Sequence, residues 1–163
     1  MFTMSRKNIC FCLNGEDIEA TVDDSLTLLD FLREKLHVTS AKKSCKQGDC
    51  GACTVLLNGK AVNACLILAA SVNRKEVLTA EGLGTPGNLH PVQKAFVELG
   101  ASQCGYCTPG FIMAAKALLD KNPNPTYEEV KDGLSGNLCR CTGYTKPIEA
   151  VLSAAKEMRE AGK

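Results

Sequence analysis

Apolar positions recur with two different periods along this chain. In Ile9-Cys-Phe-Cys-Leu13, bulky apolar residues alternate with small ones and lead into Asn14-Gly15, a hairpin turn signal, and residues 18–22 read as the returning strand. Leu26, Leu29, Phe31, Leu32 and Leu36 then fall at roughly helical spacing, with Asp24 or Ser25 as the cap. Residues 54–57, the turn Asn58-Gly59 and residues 61–66 repeat the strand–turn–strand pattern, and residues 77–79 predict a last strand. Two hairpins packed with one helix define a small α+β unit up to about residue 80. Residues 81–90 are rich in Gly, Pro and Asn and read as a linker. Beyond them the period becomes helical. A short helix is predicted over 92–99, a second over 111–119 behind Thr108-Pro109-Gly110, a third opened by the capping-box pattern Thr126-x-x-Glu129, and a fourth over 143–160.

Composition narrows the functional classes. Lys plus Arg is 19 and Asp plus Glu is 18, so there is neither a basic stripe for nucleic acid nor an acidic tail. There is no Trp and aromatics are 5%, too few for a base-stacking platform. Residues 1–8 lack the apolar run of a signal peptide, and Arg6-Lys7 has no apolar stretch behind it. The longest apolar stretch, residues 64–70, is too short to span a bilayer. The expectation is a soluble cytoplasmic protein that binds neither membrane nor nucleic acid.

The candidate chemistry lies in ten cysteines. In a reducing compartment, clustered cysteines more often bind metal than pair as disulfides. Cys45, Cys50, Cys53 and Cys65 follow C-x4-C-x2-C with a fourth Cys eleven residues further on, the plant-type [2Fe–2S] spacing. Gly48 and Gly51 let the backbone approach closely and turn N–H groups toward sulfur. Four thiolates also suit tetrahedral zinc, although structural zinc sites more often use two C-x2-C knuckles and this set has one. The second set is Cys104-Gly-Tyr-Cys107 and Cys139-Arg-Cys141, all at loop–helix junctions, where helix N-termini favour thiolates. Spacing alone leaves iron, zinc and a redox dithiol open for this set.

Three segments together carry a family resemblance: Cys45-Lys-Gln-Gly-Asp-Cys-Gly-Ala-Cys-Thr-Val55, Gln103-Cys-Gly-Tyr-Cys-Thr-Pro-Gly110 and Gly136-Asn-Leu-Cys-Arg-Cys-Thr-Gly-Tyr144. In that order, over nearly the whole chain, they resemble the iron–sulfur (small) subunit of the xanthine dehydrogenase, or molybdenum hydroxylase, family. The resemblance implies an N-terminal plant-ferredoxin-like β-grasp domain (1–80), the linker (81–90) and a C-terminal four-helix bundle domain (91–163). It implies a second [2Fe–2S] cluster on Cys104, Cys107, Cys139 and Cys141. It also implies a large partner subunit with a molybdopterin cofactor, a medium subunit with FAD, and a pterin contact at Gln103 and Cys104. Members of this length are separate subunits. Ser44 departs from the Gly often found before the first ligand, which bears on the local turn.

The reading is therefore an electron-transfer subunit, relaying electrons from the molybdopterin site through the second cluster, then the first, to FAD or another acceptor. It carries no catalytic residue of its own. A free ferredoxin-like carrier does not account for the helical half, and a zinc-stabilised interaction module is the remaining rival. Cys10 and Cys12 read as small structural residues on one strand face, and His37 and His90 as structural. Arg140 reads either as a charge partner of the cluster or as a rim residue. Lys42-Lys43 reads as a solvated approach to the first loop.

Overall fold

A computed structural model describes residues 5–162; residues 1–4 of the predicted leaderless N-terminus, and Lys163, lie outside them. The described residues form an α+β fold, with a mixed five-stranded sheet and five α-helices. The predicted first hairpin is β1 (Arg6–Leu13) and β2 (Glu16–Asp23), paired in register from Arg6↔Asp23 to Leu13↔Glu16 around Asn14-Gly15. Because strand side chains alternate, Ile9, Phe11 and Leu13 are buried while Cys10 is exposed and Cys12 half-buried.

Helix α1 (Leu28–Glu34) lays Leu28, Leu29, Phe31 and Leu32 on this core, with the Phe31 ring 6.0 Å from that of Phe11. Its cap is Thr27, whose Oγ accepts from the Asp30 N–H at 3.1 Å, not Asp24 or Ser25. The reason is tertiary. The segment before the helix is taken up by pairing with residues 67–69, through Ala69 N–H to Leu26 O (2.8 Å) and Leu28 N–H to Ile67 O (2.7 Å).

β3 (Thr54–Leu57) and β4 (Lys60–Asn63) form the second hairpin. The returning strand is shorter than predicted: residues 64–66 turn into a single 3-10 turn, which carries Cys65 inward. β5 (Glu76–Leu78) inserts between the hairpins, parallel to β1 and antiparallel to β3, giving the order β2-β1-β5-β3-β4.

The predicted linker has structure of its own. Ala80–Gly82 makes a 3-10 turn, Glu81 accepts from the N–H groups of Thr39 and Ser40, and Thr85 and Asn88 bridge each other. Its last residue, His90, caps α2 (Pro91–Glu98): Nδ1 accepts from the Val92 N–H, and the Gln93 side chain accepts from the His90 N–H. α3 (Thr108–Lys121), α4 (Tyr127–Gly133, with the predicted Thr126/Glu129 capping box) and α5 (Thr145–Ala161) complete the helical half. These four helices share a second core that includes Val92, Phe96, Phe111, Val130 and Val151. A third, small cluster joins the halves, with Leu56 and Ala80 against Met113 and Ala117 of α3. No helix among the described residues is long and apolar enough to cross a membrane.

Candidate metal centres

All ten cysteines are free, and eight of them fall into two groups, the first on the loop before β3 and the 3-10 turn after β4, the second on the segments leading into α3 and α5. In the first group the thiols approach in two pairs, Cys45 with Cys50 and Cys53 with Cys65. The loop before β3 supplies three of them, and the 3-10 turn after β4 brings Cys65 in. Backbone N–H groups of Gln47 and Cys50, then the Cys50 thiol, hold Cys45 down at about 6, from 9.0. Burial pushes Cys53 up to about 12.

The second group repeats the arrangement. Cys107 lies beside Cys139, and Cys104 beside Cys141. All four line one cavity of about 490 Å³, together with Cys50 of the first group, Tyr106, Leu138 and Arg140. Cys107 is the N-cap residue of α3, and burial pushes its thiol up to about 12. Burial alone would raise Cys139 as well, but the Thr142 hydroxyl and N–H bring it below the usual range. Each group thus contains one thiol held low by N–H or O–H donors and one held high by burial, which a cationic centre would deprotonate.

Among the described residues no three His, Cys, Asp or Glu side chains converge as ligands of a single ion. Two irons need two protein donors each, and Cys45 beside Cys50, Cys53 beside Cys65, Cys107 beside Cys139 and Cys104 beside Cys141 would supply them. No His joins either group: His90 is engaged as a helix cap, and His37 is exposed after α1. Cys10 and Cys12 sit on the solvent side of β1, opposite Glu19 and Asp17. Arg140 and Gln103 are exposed, the latter beside exposed Cys104. Lys43 is more engaged than predicted, since its Nζ is 2.6 Å from Asp30 and 2.8 Å from Glu34, tying the first loop to α1.

The two groups adjoin. Leu138 N–H donates to Cys50 O at 2.9 Å, the Asn137 Nδ2 to Gly51 O at 2.9 Å, and the Tyr106 hydroxyl to Lys43 O at 2.6 Å. Two glycines permit this approach. A Cβ on Gly51 (φ +65°) would strike Gly136 O and the Asn137 side chain, and one on Gly110 would strike Gly51 O. The contacts of Asn137, Tyr106 and Thr142 escaped sequence reasoning. The only signal for them was position, each within three residues of a cysteine in the second set.

Comparison with known proteins defines the class, an iron–sulfur protein. The chain matches the 2Fe-2S iron-sulfur cluster binding domain over residues 11–83 and the [2Fe–2S] binding domain over residues 79–152. It is 48% identical, over 94% of its own length and 98% of the relative's, to a nicotinate dehydrogenase small FeS subunit of Eubacterium barkeri. It superposes on quinoline 2-oxidoreductase from Pseudomonas putida with a TM-score of 0.90 at 38% identity, covering 95% of this chain and 97% of that one. On the aldehyde oxidoreductase of Desulfovibrio desulfuricans the TM-score is 0.92 at 46% identity, covering 94% of this chain but 17% of that longer polypeptide. The chain belongs to the iron–sulfur subunits of the xanthine dehydrogenase, or molybdenum hydroxylase, family. It is thus the iron–sulfur part of an oxidoreductase complex.

Proposed function

We propose that this chain relays electrons from a molybdopterin site on a large partner subunit to FAD, or another acceptor, on a second partner in the cytoplasm. Cys45, Cys50, Cys53 and Cys65 would hold the first [2Fe–2S] cluster, in a plant-ferredoxin-like β-grasp domain spanning 1–80. Cys104, Cys107, Cys139 and Cys141 would hold the second, in a four-helix domain spanning 91–163, with 81–90 as the connection. When bound, each cluster accepts and releases one electron at a time.

The observation that carries this reading is the convergence of Cys104, Cys107, Cys139 and Cys141 on one cavity that Cys50 of the first group also lines. The main-chain bond from Leu138, next to Cys139, to the carbonyl of Cys50 supports transfer between the groups, because it links the two ligand sets directly. The exposure of Gln103 and Cys104 supports a pterin contact there. The Gln amide offers one donor and one acceptor side by side, the pairing that suits the edge of a fused heterocycle. A free carrier built like the first half alone leaves the second set of cysteines without a role.

The test is stoichiometric. Purified chain should hold about four irons and four acid-labile sulfides, two clusters of two each. Reduction by dithionite should develop two distinguishable EPR signals. Zinc without labile sulfide, or a single signal at full iron loading, would overturn the reading.

A further inference from the structure

The loop that carries Cys139 and Cys141 closes on itself through three hydrogen bonds. The Tyr144 N–H donates to Thr142 Oγ1 at 3.3 Å, the Thr142 hydroxyl lies 3.1 Å from Cys139 Sγ, and the Cys139 N–H donates to the Tyr144 hydroxyl at 3.1 Å. The Thr142 N–H lies 3.4 Å from the same sulfur. A hydroxyl has one proton to give. With Tyr144 donating to its oxygen, the Thr142 hydroxyl directs that proton at the sulfur. Tyr144 is held with φ +69°, a conformation uncommon for a non-glycine residue, which the closed ring of bonds sustains.

Among the described residues the first group shows no counterpart. Donors to Cys45 are main-chain N–H groups of Gln47, Cys50 and Asp49, with the neighbouring thiol. The Thr54 hydroxyl, which is near that group, donates to Gly51 O at 2.7 Å instead. The second group therefore contains a side-chain donor that a point substitution can remove without touching a ligand, although the Tyr144 N–H loses its acceptor with it.

We propose that Thr142 is a positioning residue that sets the reduction potential of the second cluster, raising it relative to the same cluster without the hydroxyl. This rests on the reading of Cys139 as a ligand of that cluster. One-electron reduction adds one negative charge, shared with the ligand sulfurs. A donor already aimed at Cys139 Sγ stabilises the more negative, reduced form more than the oxidised form. The hydroxyl thus biases the second centre toward accepting an electron, while the thiolates do the holding.

The experiment is an EPR-monitored redox titration of the assembled complex carrying Thr142→Val, which keeps the shape and the N–H but lacks the hydroxyl. The midpoint of the second cluster should shift downward while that of the first stays in place. Thr142→Ser, which restores the hydroxyl, should return the second midpoint to the wild-type value. An unshifted midpoint in Thr142→Val, or a shift of equal size in Thr142→Ser, would overturn the proposal. If Thr142→Val binds fewer irons than wild type, Thr142→Ala is titrated in its place. Loss of the second cluster in both, with Thr142→Ser intact, would show that the hydroxyl only holds the loop together, and the tuning role falls. Failure of the underlying ligand assignment would look different, since Cys139→Ser would then retain both EPR signals.

Discussion

Asn137 offers the sharpest test of how the two cysteine loops are held together. It is 4% exposed, although Gly136 and Leu138 on either side are exposed. Its Nδ2 donates to Gly51 O at 2.9 Å and lies 3.4 Å from Thr54 Oγ1, so one buried amide crosses from the second loop to the first. Asn137→Ala removes that donor and leaves a small void. Gly51 O keeps the Thr54 hydroxyl at 2.7 Å and the Thr54 N–H at 3.1 Å, so the carbonyl is not orphaned. That places the hydrogen-bond loss near about 1 kcal/mol, and the void adds a similar amount, for about 2 kcal/mol in all. At this chain length the melting midpoint moves roughly 2–4 °C per kcal/mol, so a fall of about 4–8 °C is expected.

The chemistry of the substitution matters as much as its size. Asn137→Asp is nearly isosteric, yet a carboxylate cannot donate and would face the Gly51 carbonyl across the same gap. It should be at least as damaging as alanine. Thermal unfolding, followed in parallel by far-UV circular dichroism and by the visible absorbance of the clusters, measures both variants. In each, the EPR signals of the individual clusters should persist, because ligation is untouched. A midpoint unchanged in Asn137→Ala, or Asn137→Asp as stable as wild type, would refute the assignment of Asn137 as the bridge between the loops.

Other variants separate ligands, contacts and caps. Cys50→Ser should abolish the first EPR signal and Cys139→Ser the second, whereas Cys10→Ser and Cys12→Ser, on the solvent side of β1, should leave iron content unchanged; loss of a signal in either of the latter pair contradicts their placement. Gln103→Ala in the assembled complex should slow substrate-driven reduction of the clusters and leave dithionite reduction as fast as before; unchanged substrate-driven reduction, with the pterin still bound, would locate electron uptake elsewhere. His90 is held below its ordinary 6.5 by burial and then by the Lys116 charge, with Asp120 opposing, and it caps α2 as the neutral imidazole. Its contribution is complete above pH 6.5 and is lost as pH falls through the lower folded-state value, so the wild-type midpoint should drop more steeply with acidification than that of His90→Asn. Equal slopes in the two proteins would exclude the cap as a pH-sensitive element.

Both hairpins, the last strand and all four helices of the second half were legible in sequence, because each depends on local signals. Asn14-Gly15 sets a turn, the alternation from Ile9 to Leu13 sets a face, and Thr126 with Glu129 sets a helix start. Where reading and structure part, long-range pairing decides. Thr27 caps α1 because residues 26–28 are recruited by residues 67–69. Residues 64–66 leave the sheet at a 3-10 turn, and Cys65 goes inward. The cysteine groups were visible as spacing, and the pairing within them was not. Which thiol adjoins which depends on loops separated by up to 37 residues in the second group, and period and propensity carry no information about that.

The way the halves meet bears directly on the proposed relay. Transfer between two centres depends steeply on their separation, so that separation must survive changes at the surface. Here it is held by atoms that substitution hardly alters: a main-chain N–H to a main-chain carbonyl between Leu138 and Cys50, and glycines at 51 and 110 whose lack of a Cβ lets the strands of chain touch. Asn137 and Tyr106 reinforce the contact from either side. The apolar part of the junction is Leu56 and Ala80 against Met113 and Ala117, with Leu78 and Leu83 packed beside them. The junction therefore combines apolar contact with directional hydrogen bonds. Directional bonds fix a distance and an orientation, whereas apolar contact tolerates sliding. For the proposed relay, which would need two redox centres at one spacing, the directional bonds supply what apolar contact does not.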